Sequence, residues 1–247
     1  MIMNKVLLTN IKGTSVDRNT AYSLSIDSWK RWCDKNEAEC LVLDEPLFDP
    51  NEMSPIYFRH YWPNLLDLQD DEQLCLVDAD TIVHPNCPNF FLETEGKFAA
   101  VHNDGDYDWV IRSIENYQYE FKEYFKKQFD IWNYINCGFM VTNKKYIDLH
   151  ESLTNFYWSN RAKVQHCQRT YGVGTDQPLM NLFINELDIP LKLLSSKYNM
   201  QDLVRKNILD DRMLYLNIPA VYHFNAIPGG KLQSDLWIQK TYSALFN

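Results

Sequence analysis

Two aspartates, Asp78 and Asp80, stand two positions apart directly after a strongly apolar run at 74–77. We predict that this run is a buried strand, and ligands of open α/β sheets bind beyond the carboxyl ends of strands. Residues i and i+2 of an extended segment point to the same side, so the two carboxylates repel each other unless a cation binds them. Their oxygens suit a hard divalent ion such as Mg²⁺ or Mn²⁺. The alternative is that both are ordinary turn residues at a strand end.

His223 also follows an apolar run, and a Pro-Gly-Gly-Lys segment ending at Lys231 comes soon after it. Imidazole is a competent ligand for borderline metals such as Mn²⁺. Glycines let backbone amides approach an anion closely, and a lysine places positive charge on phosphate oxygens. The segment therefore indicates a metal and phosphate site, with a core histidine beside a tight turn as the alternative.

Two further segments contain residues that their predicted elements do not explain. Asn136 and Gly138 interrupt an otherwise apolar strand, and a glycine in a strand often marks the close approach of a ligand or of backbone. Asp176 and Gln177 stand at the start of a predicted helix. A helix N-cap explains Asp176 but leaves Gln177 unexplained.

An acidic loop has the spacing of a calcium-binding loop, with Asp104, Asp106, Asp108 and Glu115 at the ligand positions. Trp109 occupies the position where such a loop needs glycine, so we do not expect calcium binding. The loop follows a predicted strand. Asp104 and Asp106 are therefore candidates for binding a sugar acceptor, with a solvated acidic loop as the alternative.

The elements that must position these residues follow from hydrophobic spacing. Strands are predicted at 5–9, 41–43, 74–77, 98–101, 135–142, 191–194, 214–216 and 221–224, and helices at 22–33, 56–68, 111–130, 145–160 and 176–187, with Pro63 bending or splitting the second helix. This alternation predicts an α/β fold with a mostly parallel sheet and flanking helices. Because neither a repeat nor a linker divides the chain, we predict a single domain over 1–247.

Composition sets the limits on function. The 247 residues are 45% hydrophobic, which is ample for a core, and the net charge of −9 argues against a nucleic-acid partner. An acidic protein can still bind a phosphorylated ligand if a metal supplies the positive charge. The six cysteines lack CxxC spacing, which excludes a zinc ribbon. Without a signal peptide or an apolar stretch of membrane-spanning length, we expect a cytoplasmic protein with no transmembrane segment.

Taken together, the motifs DAD, NCG, DQ and HF followed by a lysine resemble, in this order, glycosyltransferase family 8. This family contains the glycogenins and bacterial lipo-oligosaccharide galactosyltransferases, which are nucleotide-sugar enzymes of the Rossmann-like GT-A fold. The resemblance covers about residues 5–231. It implies a UDP-hexose donor, a glycan or other hydroxyl acceptor, a Mn²⁺ or Mg²⁺ cofactor and retention of the anomeric configuration.

The resemblance also implies roles for single residues. It makes Asp80 and His223 metal ligands, and Asp78 a ligand of the metal and a contact of the ribose. It assigns donor binding to Thr9, Asn10, Arg59, Asn136, Gly138 and Lys231, and the reacting centre to Asp176 and Gln177.

The phosphate loop departs from the family pattern. The family usually has glycine three residues after the histidine, lysine three after that, and tryptophan soon afterwards. Here Ala226 takes the glycine position, Lys231 comes later and Trp237 is further away. We therefore expect this loop to follow a different path.

Three alternatives stay open. An inverting GT-A enzyme of another family would need a general base, for which Asp176 or Asp104 is available. A sugar-nucleotide nucleotidyltransferase on a similar fold would need a glycine-rich, basic loop after the first strand, and the segment 10–19 is a poor match. An inactive sugar-binding module would have no use for an intact set of metal ligands.

Overall fold

The structure, a computed structural model, describes residues 3–11 and 19–246. Most of the segment 10–19, whose composition argues against a nucleotidyltransferase, lies outside the described residues.

A six-stranded sheet, in the order β2-β1-β3-β6-β5-β7, forms the centre of the described part of the chain. The strands are β1 (Lys5–Thr9), β2 (Glu39–Leu43), β3 (Gln73–Asp78), β4 (Thr81–Val83), β5 (Phe98–His102), β6 (Ile135–Asn143), β7 (Leu191–Leu194) and β8 (Val221–His223). Within this sheet β6 runs antiparallel to both of its neighbours, whereas the other pairs are parallel. Strands β4 and β8 form a separate antiparallel pair.

Helices cover the sheet. They are α1 (Asn19–Lys35), α2 (Trp62–Leu65), α3 (Tyr107–Glu120), α4 (Ile147–Tyr171), α5 (Asp176–Glu186) and α6 (Gly230–Phe246), and a 3-10 helix at Pro55–Tyr61 precedes α2. Each helix in this described part is too short or too polar to cross a lipid bilayer.

The apolar side chains of the strands explain why helices lie on both faces. Successive residues of a strand point to opposite faces. Accordingly, Leu7 of β1 packs into one buried cluster, whereas Val6 and Leu8 pack into another. On β3, Leu76 and Cys75 divide in the same way. This two-sided burial confirms the predicted α/β fold with a mostly parallel sheet and flanking helices.

Several predicted elements differ from the observed ones. The predicted helix at 56–68 is a 3-10 helix followed by the four-residue α2, because Pro55 and Pro63 restrict the backbone. The predicted helix at 111–130 ends at Glu120, after which the chain turns at Phe121. The predicted strand at 214–216 is also wrong, since a 3-10 helix occupies that position.

Two elements were not predicted. Strand β4 has only three residues and begins one residue after Asp80. Helix α6 begins at a glycine and has no clear apolar face, so its sequence carries little helical periodicity. Both become recognisable only through the elements that they pack against.

Candidate active site

Two carboxylates and one imidazole meet at the carboxyl end of β3. His223 Nε2 lies 3.2 Å from Asp80 Oδ1 and 3.6 Å from Asp78 Oδ2. One ligand atom from each of the three residues lies within 4.8 Å of the others. The imidazole is buried, whereas the Asp78 and Asp80 side chains are 28% and 20% exposed. We call these three residues the metal cluster.

The pairing of β4 with β8 brings the metal cluster together. Thr81 of β4 lies opposite His223 of β8, and the Phe224 amide donates a hydrogen bond to the carbonyl of Asp80 (2.9 Å). The Thr81 hydroxyl donates to the carbonyl of Asp78 (2.8 Å), which fixes the turn between β3 and β4. Residues from distant parts of the sequence therefore form one site.

Gly138 of β6 lies directly beneath the metal cluster. A Cβ atom at this position would lie 2.9 Å from Asp78 Oδ2 and 2.7 Å from Asn136 Oδ1, and it would collide with the ring of His223. The sequence predicted that a ligand or backbone comes close to this glycine. In the structure the groups that come close to it are side chains of the metal cluster and of Asn136.

A buried arginine joins the cluster to the helices. Arg59 Nη1 lies 2.6 Å from Asp78 Oδ1 and donates to the carbonyl of Cys137 (3.0 Å), while its Nε lies 3.9 Å from Asp176 Oδ2. Burial alone would lower the pKa of Arg59, but the two carboxylates raise it, so the guanidinium stays charged. Because Arg59 occupies Asp78 Oδ1, the other oxygen of Asp78 is left facing His223.

The pKa shifts show excess negative charge at the metal cluster. Burial, together with the charge of Asp80, raises the pKa of Asp78 despite the neighbouring Arg59. Burial alone would lower the pKa of His223, but Asp80 and Asp78 raise it. A divalent cation would relieve this repulsion. Two carboxylates with one imidazole form a ligand set that fits Mn²⁺. Mg²⁺ prefers oxygen ligands, and two of these three ligands are carboxylates.

Two clefts adjoin the metal cluster, and Asp78 and Asp80 line both of them. The larger, which we call the polar cleft, has a volume of about 400 Å³, and the smaller, the strand-end cleft, has about 180 Å³. The polar cleft is also lined by Asn103, Gly105, Asp106, Trp109, Asn136, Gln177, Asp202, Arg205, His223, Asn225 and Ala226. The strand-end cleft is also lined by Thr9, Tyr22, Pro55, Ile56, Arg59 and Ala79.

Asp176 and Gln177 have different environments although they are adjacent. Asp176 is 1% exposed, and its Oδ2 lies 3.1 Å from His60 Nε2. Burial would raise its pKa, but the hydrogen bond from His60 and the charge of Arg59 hold the pKa below its ordinary value. Gln177 lines the polar cleft, where its Oε1 accepts a hydrogen bond from the amide of Cys137 (3.0 Å).

The prediction that Asp176 caps α5 is wrong. Thr175 occupies the N-cap position and makes no side-chain capping bond. The carboxylate of Asp176 is engaged with His60 instead, so the residue type reflects the buried ion-pair network rather than the helix end.

Both candidate acceptor residues are held by cations. Asp104 Oδ1 lies 2.8 Å from Lys206 Nζ, and Asp106 Oδ2 lies 3.1 Å from Arg205 Nη2. Asp106 also caps α3 by accepting a hydrogen bond from the Trp109 amide (3.3 Å). Asp106 lines the polar cleft, whereas Asp104 is not among the described residues that do so.

The remaining predicted donor residues lie at different distances from the clefts. Thr9 lines the strand-end cleft, and the buried Oδ1 of the adjacent Asn10 has no hydrogen-bond partner among the described residues. Lys231 is the exposed second residue of α6 and is not one of the described residues lining either cleft. Ala226 has a φ of 51°, a left-handed conformation that favours glycine.

Sequence reasoning missed several residues of the site. Trp109, Asp202 and Arg205 line the polar cleft, and Asn199 hydrogen-bonds to the ring of His223. Asn103, which directly follows β5, could have been found by the strand-end rule that identified Asp78. The others carry no such signal: Trp109 lies on α3, and the positions of Asn199, Asp202 and Arg205 depend on the path of the chain between β7 and β8.

No family model and no curated protein sequence matches this chain. Solved structures do match. The fold is similar to that of a glycosyltransferase involved in the glycosylation of the major capsid of PBCV-1 (TM-score 0.54, 10% identity, 96% of this chain and 99% of the other).

It is also similar to mouse xyloside xylosyltransferase 1 in its apo form (TM-score 0.50, 12% identity, 92% of this chain and 99% of the other). A third similar structure is the glycosyltransferase GlyE of Streptococcus pneumoniae TIGR4 (TM-score 0.53, 14% identity); this match covers 99% of our chain but only 62% of GlyE. The chain therefore has the GT-A-like α/β fold of glycosyltransferases.

Proposed function

We propose that this protein is a metal-dependent glycosyltransferase that moves a sugar from a nucleotide-sugar donor to a hydroxyl acceptor. One observation carries the proposal: the metal cluster lies at the strand ends of a GT-A-like sheet, between two clefts of unequal size. This arrangement suits a ligand whose two parts flank a metal-bound diphosphate. A glycan is the favoured acceptor.

The strand-end cleft suits the nucleoside of the donor. It is lined by Thr9 and lies on the Arg59 side of Asp78. Asn10, the next residue, is buried and is not one of the described residues that line this cleft. The UDP-sugar donor therefore follows from the family resemblance, with Asp78 placed near the ribose.

Asp78, Asp80 and His223 would hold Mn²⁺ or Mg²⁺. A bound ion would supply Lewis-acid chemistry, which stabilises negative charge on a departing nucleoside diphosphate. Arg59 contributes fixed positive charge beside Asp78, and Lys231 contributes a further charge if the donor reaches the start of α6. The chain's own residues would thus hold the cation and add the charge of Arg59 where the diphosphate binds.

The polar cleft suits the donor sugar and the acceptor. Asn136 and Gln177 line it beside the metal cluster, and Asp106 lies further along its wall. Sugar hydroxyls donate hydrogen bonds to carboxylates and amide oxygens, and Trp109 offers an apolar ring face. These groups support a neutral, hydroxyl-rich acceptor.

We propose retention of configuration, which the family resemblance implies, and the two carboxylates considered as a general base are both engaged in the fold. An inverting enzyme needs a free carboxylate as general base. Asp176 is buried against His60 and Arg59, and Asp104 is paired with Lys206. Gln177 has no basic group but reaches the cleft, where it can assist departure and attack on the same face.

The proposal predicts that binding of UDP requires both the metal and Asp80. In isothermal titration calorimetry with Mn²⁺, we expect UDP to bind to the wild-type chain and to lose at least tenfold in affinity either in EDTA or after Asp80→Asn. Asp211→Asn is the matched control, because the side chain of Asp211 is 95% exposed and far from both clefts. Thermal melting checks that each variant is folded.

Equal affinity for UDP in EDTA would contradict the metal assignment. The alternatives give their own results when a UDP-sugar is offered. A nucleotidyltransferase would consume UDP-sugar and pyrophosphate together, and an inactive sugar-binding module would bind the donor but never release UDP.

A further inference from the structure

The orientation of an asparagine network beside the metal cluster follows from one backbone group. The amide N–H of Gly138 can only donate, and it lies 2.8 Å from Asn136 Oδ1. This contact fixes which end of the Asn136 amide is oxygen. Asn136 Nδ2 is then directed to Asn103 Oδ1, 3.1 Å away, which accepts its hydrogen bond.

The same oxygen determines the orientation of Asn199. Asn199 Nδ2 lies 2.9 Å from Asn136 Oδ1 and must donate to it. The Oδ1 of Asn199 consequently faces Nδ1 of His223 at 2.9 Å. Because an amide oxygen only accepts hydrogen bonds, Nδ1 of His223 must carry a proton.

A neutral imidazole has one N–H group. With that proton on Nδ1, the lone pair of Nε2 points at Asp80 Oδ1 (3.2 Å) and Asp78 Oδ2 (3.6 Å). The two carboxylates repel this lone pair, yet the Asn199 oxygen keeps the proton on Nδ1 because it can only accept, and a cation between the three groups would relieve the repulsion. The network thus presents the ring in the form that a metal needs.

Asn199 is itself held rigidly. It follows the buried Tyr198, whose ring stacks on Phe139 of β6 (6.4 Å between centroids). The next residue, Met200, donates its amide to the carbonyl of Val221 and accepts from the amide of His223. The backbone on both sides of Asn199 therefore cannot shift without disturbing β8.

We propose that Asn199 is a positioning residue that sets the tautomer of His223 and so prepares its Nε2 to bind the metal. Asn136 and the amide of Gly138 keep Asn199 in the required orientation. This inference rests on the proposed function for the identity of the metal, but the tautomer itself is a property of the metal-free protein.

The test combines NMR with metal titration. Long-range ¹H–¹⁵N spectra of the metal-free protein, at a pH where the ring is neutral, should show His223 protonated at Nδ1. In Asn199→Ala we expect the Nε2–H form to appear and Mn²⁺ affinity, measured by electron paramagnetic resonance, to fall by about 10- to 100-fold. Asn199→Asp keeps an acceptor oxygen and should keep the Nδ1–H form.

Asn143→Ala is the matched control. Asn143 is also a buried asparagine of β6 that bonds to backbone groups, to the carbonyl of Gly96 and from the amide of Lys145, but at the other end of the strand. Its loss should leave both the tautomer and the Mn²⁺ affinity unchanged.

An Nε2–H tautomer in the wild-type protein would overturn the inference, as would unchanged tautomer and affinity in a folded Asn199→Ala variant. If Asn199→Ala does not fold, the wild-type spectrum and Asn199→Asp still decide. If the wild-type protein shows the Nδ1–H form but does not bind Mn²⁺, then the proposed function fails while the positioning role stands.

Discussion

At the scale of single residues, the site depends on groups that are small or neutral as much as on charged ones. Gly138 leaves the space that the side chains of His223 and Asp78 occupy. Asn199 and Asn136 carry no charge, yet they connect the imidazole to the backbone of β6. The geometry of the ligands therefore rests on residues that do not touch a metal themselves.

Gly138→Ala should disrupt the metal cluster more than the fold. The added methyl group would force Asp78 and His223 apart, so we expect Mn²⁺ affinity to fall at least tenfold, with roughly 1–3 kcal/mol lost from the free energy of unfolding. Metal titration and urea denaturation measure the two effects. Gly96→Ala is the control, because Gly96 has a φ of +66° but no atoms within 4 Å of a Cβ there, and it should lower stability alone.

Unchanged Mn²⁺ affinity in a folded Gly138→Ala variant would contradict the claim that Gly138 leaves space for the metal cluster.

The sequence was most informative at this scale where residue type and strand end coincide. Asp78 and Asp80 were predicted as a pair because they follow the most apolar strand, and the structure does bring them together with His223. Asn199 could not be predicted. Its role depends on hydrogen bonds to Asn136 of β6 and His223 of β8, which form only once the fold brings these strands and the segment carrying Asn199 together.

At the scale of elements, a buried chain of polar groups connects four parts of the fold. His60 of the 3-10 helix lies 3.1 Å from Asp176 of α5 and, through Nδ1, 3.1 Å from His150 of α4. His150 Nε2 lies 3.1 Å from the hydroxyl of Thr142 of β6. Burial lowers the pKa of His60 and of His150, so both rings are neutral and each carries one N–H proton. Together with the hydroxyl of Thr142 they supply one proton to each of the three contacts, and the charge of this buried network lies on the carboxylate of Asp176.

Asp176→Asn should therefore destabilise the fold at neutral pH. Removing one partner of a buried ion pair leaves Arg59 less compensated, and we expect a loss of roughly 3 kcal/mol in the free energy of unfolding at pH 7. Because the folded-state pKa of Asp176 lies below its ordinary 3.8, its contribution is present above that value and is lost as the pH falls through the folded-state pKa.

Urea denaturation at pH 7 and at about pH 3 measures this difference, which should shrink at the lower pH. Asp70→Asn is the control, since the side chain of Asp70 is 89% exposed. A folded Asp176→Asn variant as stable as the wild-type protein at pH 7 would show that the buried chain does not need a charge at its end.

Elements were predictable in proportion to their length and periodicity. The long apolar strands β3 and β6 were placed correctly, because alternate residues fill the clusters on both faces of the sheet. Strand β4 was not found, because three residues carry too little pattern and its conformation is set by β8. The same dependence on a partner explains why α6 was missed.

At the scale of the whole molecule, the net charge is −9, and two of the acidic residues lie together in the metal cluster. Asp78 and Asp80 raise the pKa of His223, and burial raises that of Asp78. Protons therefore compete with a cation for the same groups. The sequence could give the sign of the charge, but only the fold shows where it is concentrated.

Mn²⁺ affinity should consequently fall as the pH is lowered. A ring whose pKa is raised is protonated already in mildly acidic solution, so we expect affinity to fall by about tenfold per pH unit once the pH is below the pKa of His223. Calorimetric titration with Mn²⁺ at several pH values measures the slope. Replacing His166, an exposed histidine of α4 that is not among the described residues lining either cleft, by Gln should leave the profile unchanged. A flat profile in the wild-type protein would argue against His223 as a ligand.

The pairing of β4 with β8 has a consequence for biosynthesis. Asp80 precedes β5, β6 and β7 in the chain, whereas His223 follows them, and the pairing of β4 with β8 brings the two residues together. A nascent chain on the ribosome can complete most of the six-stranded sheet while its metal cluster still lacks the imidazole. Capacity for tight metal binding would thus be acquired only after the residues of all six strands of the sheet have been synthesised.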